Sequence, residues 1–198
     1  MLNSRTLPII SIFIFLSYLA GCAGYSNSIH VHEKNNCYEL HVPASKLALA
    51  ISKNGFIPKD NRVGGGTNNP RYFFFVNNSE KIILSGWFEP DRNYPGIEKY
   101  WSDKEKNRSD KMPPSRNVNF KKVHGWDTVF YSYRMNDYTV SRFNNKGPEY
   151  VNSVHVNAHW VQAGTWIDIH ISISSDLPDD DARAKLENVL ETIKVFEL

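Results

Sequence analysis

Polar side chains that can transfer protons or bind metals alternate with apolar ones in two segments, residues 150–161 and 165–174. The Ala-Gly dipeptide at 163–164 fits a two-residue turn, so the two segments are predicted to form a β-hairpin with a defined register. Two polar cross-strand pairs follow from that register: His159 with Asp168, and Asn157 with His170. The opposite face of this hairpin is wholly apolar and is expected to pack on helices.

His159, Asp168 and His170 are the candidate reactive residues, because neighbouring pairs on one face of a hairpin lie within about 5–8 Å at Cβ. Two imidazoles and a carboxylate are able to bind zinc or iron, and a His–Asp pair is able to act as acid and base. The alternative is a structural, hydrogen-bonded patch, since an antiparallel sheet usually has one polar face. The sequence favours this structural interpretation and predicts no cofactor.

A groove along the same polar face would have Trp166, His155 and Asn157 as candidate binding residues. His155 lies two pairs further along the hairpin, too far to share an ion with His159 and Asp168. The aromatic runs at 72–75 and 130–133 could line such a groove, but core and cross-strand packing is their ordinary use.

Motifs of other reactive sites are missing from the sequence. It has no sequence signature of a serine or cysteine nucleophile, no His-Glu-x-x-His helix and no paired-cysteine metal motif. The glycine-rich stretch at 64–70 lacks the spacing of a phosphate-binding loop. His30 and His32 could ligate a metal, but no third ligand is near them in the sequence. They are therefore assigned to a solvated tether over residues 22–37.

The first 22 residues have the pattern of a secretory signal. A short cationic start with Arg5 is followed by an apolar run at 9–19 that is too short for a membrane span. Residues 19–22 (Leu-Ala-Gly-Cys) resemble the bacterial lipobox, which implies a signal peptide at 1–21 and lipidation of Cys22. The alternative is an ordinary cleaved signal with an incidental cysteine. By the same resemblance, Ala23 implies sorting to the outer membrane, with the domain facing the periplasm.

Charge and cysteine usage narrow the classes of partner. Lys and Arg number 23 against 21 Asp and Glu, so the chain lacks the excess of cations that nucleic-acid binding needs. With Cys22 lipidated, only Cys37 remains, so no intrachain disulfide is expected and Cys37 is predicted to be a buried thiol. The predicted partners are a membrane, reached through the lipid, and an envelope protein.

The remaining periodicity predicts one α+β domain over residues 38–198. Strands are predicted at 38–42, 71–76, 80–88, 118–122, 126–135, 150–161 and 165–174, and helices at 44–53, 97–107 and 178–194. In the helix at 97–107, Ile97, Tyr100 and Trp101 share the apolar side, and the lysines and glutamates are placed elsewhere.

This order of elements, with the strand segment 164–172 (GTWIDIHIS) and the terminal helix segment 186–193 (LENVLETI), resembles the PsbP/Mog1/DcrB-like domains over residues 38–194. The resemblance implies an α/β/α sandwich with a mainly antiparallel sheet of about six or seven strands. It also implies a binding or assembly factor, and no functional residue of that family is carried over. The leading hypothesis is a membrane-anchored accessory protein of the bacterial envelope; the alternative is a metal-dependent or hydrolytic enzyme using His159, Asp168 and His170.

Overall fold

The structure is a computed structural model that describes residues 29–42, 45–59, 71–110, 112–136 and 150–198. The predicted signal peptide, the lipobox with Cys22 and the glycine-rich stretch at 64–70 lie outside the described residues. The strands are β1 (His30–Glu33), β2 (Cys37–His41), β3 (Leu47–Ser52), β4 (Ile57–Pro58), β5 (Arg71–Asn77), β6 (Ile82–Pro90), β7 (Arg116–Val123), β8 (Trp126–Asn136), β9 (Tyr150–Gln162), β10 (Thr165–Ser175) and β11 (Lys194–Glu197). The helices are α1 (Ile97–Lys106) and α2 (Asp179–Thr192), and a 3₁₀ turn spans Asp91–Asn93.

The described strands form two antiparallel sheets. The larger has seven strands in the order β4-β5-β6-β10-β9-β8-β7, and the smaller has four in the order β1-β2-β3-β11. A helix packs on each face of the larger sheet, α1 against β8 and α2 against β9 and β10. The predicted α+β class, with a mainly antiparallel sheet of about seven strands, is therefore confirmed.

The hairpin of β9 and β10 has the predicted register. Thr165 pairs with Gln162, and the strands stay in step to Ser175 opposite Asn152. Ala163 and Gly164 both have positive φ angles, 49° and 80°, as a tight hairpin turn requires. This short turn, together with the burial of one alternating face, leaves no other register in which the apolar side chains are all buried.

The main core lies on the apolar face of the larger sheet. Ile167, Ile169 and Ile171 of β10 are fully buried there against Leu186 and Leu190 of α2. The four-stranded sheet covers the rest of this face with Leu40, Leu47, Leu49 and Ile51. The prediction that helices cover the apolar face is therefore correct only for the part under α2.

Two predictions about the N-terminal part of the domain are wrong. Residues 44–53 were predicted to be helical, but the structure has β3 at Leu47–Ser52, between β2 and β11. The segment is apolar at nearly every position because β3 is buried on both faces, and a short run of this kind does not distinguish a strand from a helix. The predicted tether is also too long, since β1 pairs with β2 and Cys37 begins β2.

Cys37 is a free cysteine and is only partly buried, so the prediction of a buried thiol is wrong. It lies at the first position of β2, opposite Ser52 at the end of β3, where the sheet gives little cover. In the part of the chain that the structure describes, no helix is both long and apolar enough to cross a membrane.

Candidate functional site

His159 and Asp168 form a buried pair at the centre of the larger sheet. They lie opposite each other on β9 and β10, and the His159 Nε2 to Asp168 Oδ1 distance is 3.4 Å. Their side chains are 0% and 1% exposed. Gly86 on β6 makes room for this part of β10, because a Cβ at that position would lie 2.2 Å from the carbonyl oxygen of Asp168.

Aromatic rings close over the pair from the direction of α1. The ring of Tyr100, on the first turn of α1, lies edge-on to the imidazole of His159 with centroids 4.5 Å apart. Tyr94, from the segment before α1, lies 5.5 Å from the same imidazole, and Trp166 on β10 lies 5.2 Å from it. We call His159 and Asp168 the sealed pair, because the rings of Tyr94, Tyr100 and Trp166 exclude solvent from them.

A carboxyl group and a phenol lie close to the sealed pair, and the charge of Asp168 acts on both. Glu89 on β6 lies opposite Trp166. Burial is the main cause that raises the pKa of Glu89, and the negative charge of Asp168 raises it further. Burial and the charge of Asp168 also raise the pKa of Tyr100, so its hydroxyl stays protonated. Both ring nitrogens of His159 and Nε1 of Trp166 are buried without a hydrogen-bond partner among the described residues. The carboxylate of Asp168 makes no hydrogen bond of normal geometry there, and its contact with the Tyr100 hydroxyl contributes to the raised pKa of that tyrosine. Unpaired buried polar atoms are costly, so this arrangement lowers stability.

A second buried polar group lies further along the same face, around Lys104 of α1. Its ammonium donates to the hydroxyl of Tyr131 at 2.7 Å and to Oδ1 of Asn157 at 2.8 Å. The hydroxyl of Tyr131 donates to the same oxygen of Asn157 at 3.0 Å. Burial lowers the pKa of Lys104 to about 8, with Asp168 and Glu105 opposing that change. Lys104 thus links α1 to β8 and β9 through a buried cation.

The sequence prediction placed the lysines of this helix away from the apolar side, and for Lys104 that is wrong. Lys104 follows Tyr100 by four residues, so both side chains are on one face of α1 and both contact the sheet. The spacing was a usable signal, but a lysine is usually solvated, and its partners Tyr131 and Asn157 are distant in sequence.

His155 and His170 form a third group, stacked on the ring of Tyr131. Nδ1 of His155 is 3.0 Å from Nε2 of His170, and the two rings are nearly parallel with centroids 5.2 Å apart. Burial, followed by the charge of Lys104, lowers the pKa of His155 to about 3. Burial is also the main cause that lowers the pKa of His170 to about 3, and electrostatic interactions with His155 and Lys104 lower it further. Both imidazoles are therefore neutral at physiological pH.

The three predicted reactive residues thus do not form one cluster. His159 and Asp168 are together as predicted, but His170 contacts His155 diagonally across the hairpin. Within the described ranges, no three His, Cys, Asp or Glu side chains are arranged to hold a metal ion. Of the predicted groove residues, Trp166 covers the sealed pair, Asn157 binds Lys104, and His155 stacks on His170.

Two shallow polar depressions lie at the far end of the sheet from the sealed pair. One is lined by residues that include Arg116, Arg134 and Asp176, and the other by residues that include Asn117 and Arg183. Neither contains a residue of the three buried groups. Comparison with models of known protein families gives no match to this chain, and comparison with curated proteins gives none either.

Proposed function

We propose that this chain is a lipid-anchored binding or accessory protein of the bacterial cell envelope, which acts by contacting a protein partner and not by catalysis. The observation that carries the proposal is the closure of the sealed pair. General acid–base catalysis needs the imidazole within hydrogen-bond reach of a substrate proton. His159 and Asp168 are at most 1% exposed beneath Tyr100 and Trp166, so the described residues leave no opening through which a substrate would reach them.

The anchoring part of the proposal is supported by the sequence at residues 19–22. A lipobox-like Leu-Ala-Gly-Cys directly after an apolar run is the expected position for lipidation of Cys22. Several acyl chains hold a domain to a bilayer stably, because each buried methylene contributes about 0.8 kcal/mol. The proposed location is the periplasmic face of the outer membrane, and the resemblance to PsbP/Mog1/DcrB-like domains supports a binding role.

The surface that we propose for the partner is the outer edge of the larger sheet. Seven of the eight residues of β7 are exposed, and among the strands that the structure describes only β8 pairs with it. Val118 and Phe120 present apolar side chains there, each 40% exposed. The partner that fits is an extended segment of an envelope protein, because an added strand would use the free main-chain groups of β7 and bury these two side chains. The bulge between Arg116 and Asn119 restricts pairing to the later part of the strand.

Membrane attachment is tested by replacing each cysteine in turn. In cells producing the full-length chain, Cys22→Ser should abolish incorporation of a palmitate analogue and release the domain from the membrane fraction. Cys37→Ser is the matched control and should remain labelled and membrane-bound. Equal labelling of the Cys22→Ser chain and the wild type would refute lipidation at this residue.

Partner contact is tested by photo-crosslinking in intact cells from a reactive residue placed at position 120. Ile83 on the interior strand β6 is the matched control position, because its exposure of 41% equals that of Phe120. The proposal predicts a discrete crosslinked protein from position 120 that is absent from position 83 and is lost when Val118→Asp is added. The same product from both positions, or none from position 120, would count against a partner at β7.

The alternative function is a metal-dependent or hydrolytic enzyme at His159 and Asp168. The unpartnered buried atoms of the sealed pair favour it, because such groups are common at reactive sites. It requires α1 to move away from β8 and β9. The metal-dependent form of the alternative predicts that purified wild type contains a metal ion that is absent from His159→Asn, and equal metal content in the two proteins would exclude that form.

A further inference from the structure

The smaller sheet turns one side towards the larger sheet and the other side away from the core. Val31 on β1 and Val195 on β11 pack inwards against the core. Side chains alternate along a strand, so the residues next to these two valines point outwards, and the register adds their neighbours on β2. The resulting surface, which we call the outer face, is formed by His30, His32, Glu39, His41, Lys194 and Phe196.

Ring contacts make the outer face continuous across its strands. The imidazoles of His30 and His32 are stacked with centroids 6.4 Å apart, and His41 lies edge-on to His32 at 5.0 Å. His41 also lies edge-on to the ring of Phe196 on β11, with centroids 6.2 Å apart. Phe196 is only half-buried. The outer face therefore offers imidazole N–H donors and a partly exposed aromatic ring side by side.

Positive charges exceed negative charges on and beside the outer face. Its carboxylate, Glu39, is held by Lys34 at 2.6 Å. Lys194 is exposed and its ammonium donates to the carbonyl oxygen of Glu191, and Lys46 is exposed directly before β3. Neither of these two lysines forms an ion pair with a described carboxylate. Two positive charges therefore remain after Glu39 is neutralised.

β1 and β11 each carry a glutamate as well, but these two are bonded elsewhere. Glu33 of β1 binds Lys53 at 2.6 Å, and Glu197 of β11 accepts a hydrogen bond from Gln162 at 2.7 Å. Both glutamates alternate with the outer-face residues and so belong to the other side of their strands. They do not cancel the positive charge of the outer face.

The proposed lipid anchor lies next to the outer face in the chain. Seven residues, 23–29, separate Cys22 from His30, and an extended chain of that length spans at most about 25 Å. A tether this short holds β1 close to the bilayer. It also exposes the outer face to a high local concentration of lipid headgroups, which a freely diffusing partner does not share.

We propose that the outer face rests on the anionic surface of the bilayer, so that this face and the lipid on Cys22 together hold the domain at the membrane. The proposal rests on the lipidation of Cys22 that is proposed above. Lys46 and Lys194 interact with the lipid phosphates, and Phe196 enters the headgroup region. The imidazoles donate hydrogen bonds to phosphate oxygens.

Charge sets the size and the salt dependence of the expected contact. A lysine near an anionic membrane surface strengthens binding about fivefold. Lys46→Gln/Lys194→Gln should therefore lower the ratio of docked to undocked domains about 25-fold. Added salt should lower this ratio as well, since the attraction reaches only about 8 Å at physiological ionic strength and less at higher salt.

The test is energy transfer from the lipidated protein, purified from membranes, to a headgroup-labelled lipid in vesicles. A fluorophore is attached at Asn35→Cys in the turn between β1 and β2, which leaves the outer face intact. Cys37→Ser is added so that the new cysteine is the only free thiol beside the lipidated Cys22. Lys106→Cys is the control position, because α1 packs on the opposite face of the larger sheet from the smaller sheet.

Vesicles that contain phosphatidylglycerol should give strong transfer from position 35 and weak transfer from position 106. Vesicles of phosphatidylcholine alone should give weaker transfer from position 35, and Lys46→Gln/Lys194→Gln should reduce the signal in phosphatidylglycerol vesicles to that level. Lys99→Gln/Lys122→Gln removes the same charge from α1 and β7 and is the matched control, which should transfer as the wild type does.

Flotation of each sample with its vesicles separates the two proposals. A protein that floats with the vesicles but gives equal transfer in both vesicle types is anchored without docking, which would overturn the present proposal and leave lipidation intact. A protein that does not float refutes lipidation, and docking of the outer face with it. Equal losses in the two double variants would also overturn the proposal, because the contact would then depend on net charge and not on this face.

Discussion

Protonation of His155 and His170 should destabilise this domain in mild acid. Burial holds the pKa of each imidazole at about 3, against 6.5 in an unfolded chain. The folded state therefore binds fewer protons than the unfolded state between these values, and its stability falls as the pH drops below 6.5. Among the described residues, the titratable groups that face the two rings are Lys104 from α1 and Tyr131 and Tyr133 from β8, and none of them is a carboxylate that would stabilise an imidazolium.

The magnitude follows from the two pKa values. At pH 5, protonation of one unfolded histidine lowers the free energy of unfolding by about 2 kcal/mol, and the two together lower it by about 4 kcal/mol relative to pH 7.5. The slope near pH 5 should approach the uptake of two protons, about 2.7 kcal/mol per pH unit. Because typical domains are stable by only about 5–15 kcal/mol, this loss should be large in a urea titration.

The assay is urea unfolding of the full-length protein at pH 7.5, 6.0 and 5.0 and constant ionic strength. The double variant His155→Asn/His170→Asn should be less stable at pH 7.5 but should lose most of the pH slope. His124→Asn should keep the wild-type slope. A flat stability profile between pH 6.5 and 5 in the wild type, or an unchanged slope in the double variant, would show that these imidazoles are not buried as neutral groups.

Three other perturbations probe the larger sheet. Raising the pH from 7 to 9 should stabilise the wild type by about 1 kcal/mol, because the pKa of Lys104 is about 8 in the fold and 10.5 unfolded, and Lys104→Met should remove this gain. Gly86→Ala should cost about 1–3 kcal/mol in the urea titration, since its Cβ would overlap the carbonyl oxygen of Asp168. Asp168→Ala should cost about 1–3 kcal/mol in the same titration, because it removes the partner of the buried His159 imidazole, and an unchanged stability would refute that role.

The larger sheet was predictable because its hairpins carry local signals. The Ala-Gly turn and strict alternation fixed the pairing of His159 with Asp168 and of Asn157 with His170. The position of Cβ atoms follows from such a register, but the direction of each side chain does not. His170 lies one pair from Asp168, yet its ring turns to His155, because that position stacks it in line with Tyr131. The predicted three-residue cluster failed at this step.

The smaller sheet was not predictable for a different reason. β1 carries two histidines on one side and Val31 and Glu33 on the other, so its alternation is too short and too polar to distinguish it from a solvated segment. The partners of β3 are β2, which is close in sequence, and β11, which follows α2 near the end of the chain. β3 is an interior strand because that distant strand pairs with its second edge, and a local pattern contains no information about such a partner.

The position of β1 limits the partners available to an anchored domain. With Cys22 lipidated as proposed, seven residues (23–29) separate the lipid from β1, and an extended chain of this length spans at most about 25 Å. The predicted tether of residues 22–37 would have allowed about twice that reach. β1 carries His30 and His32, so the shorter linker keeps these two histidines near the bilayer. β7 belongs to the other sheet, but a linker this short also confines that edge to the neighbourhood of the membrane. A protein that binds β7 must therefore lie in or come to the same membrane, and so an envelope protein is a better candidate than one that diffuses freely.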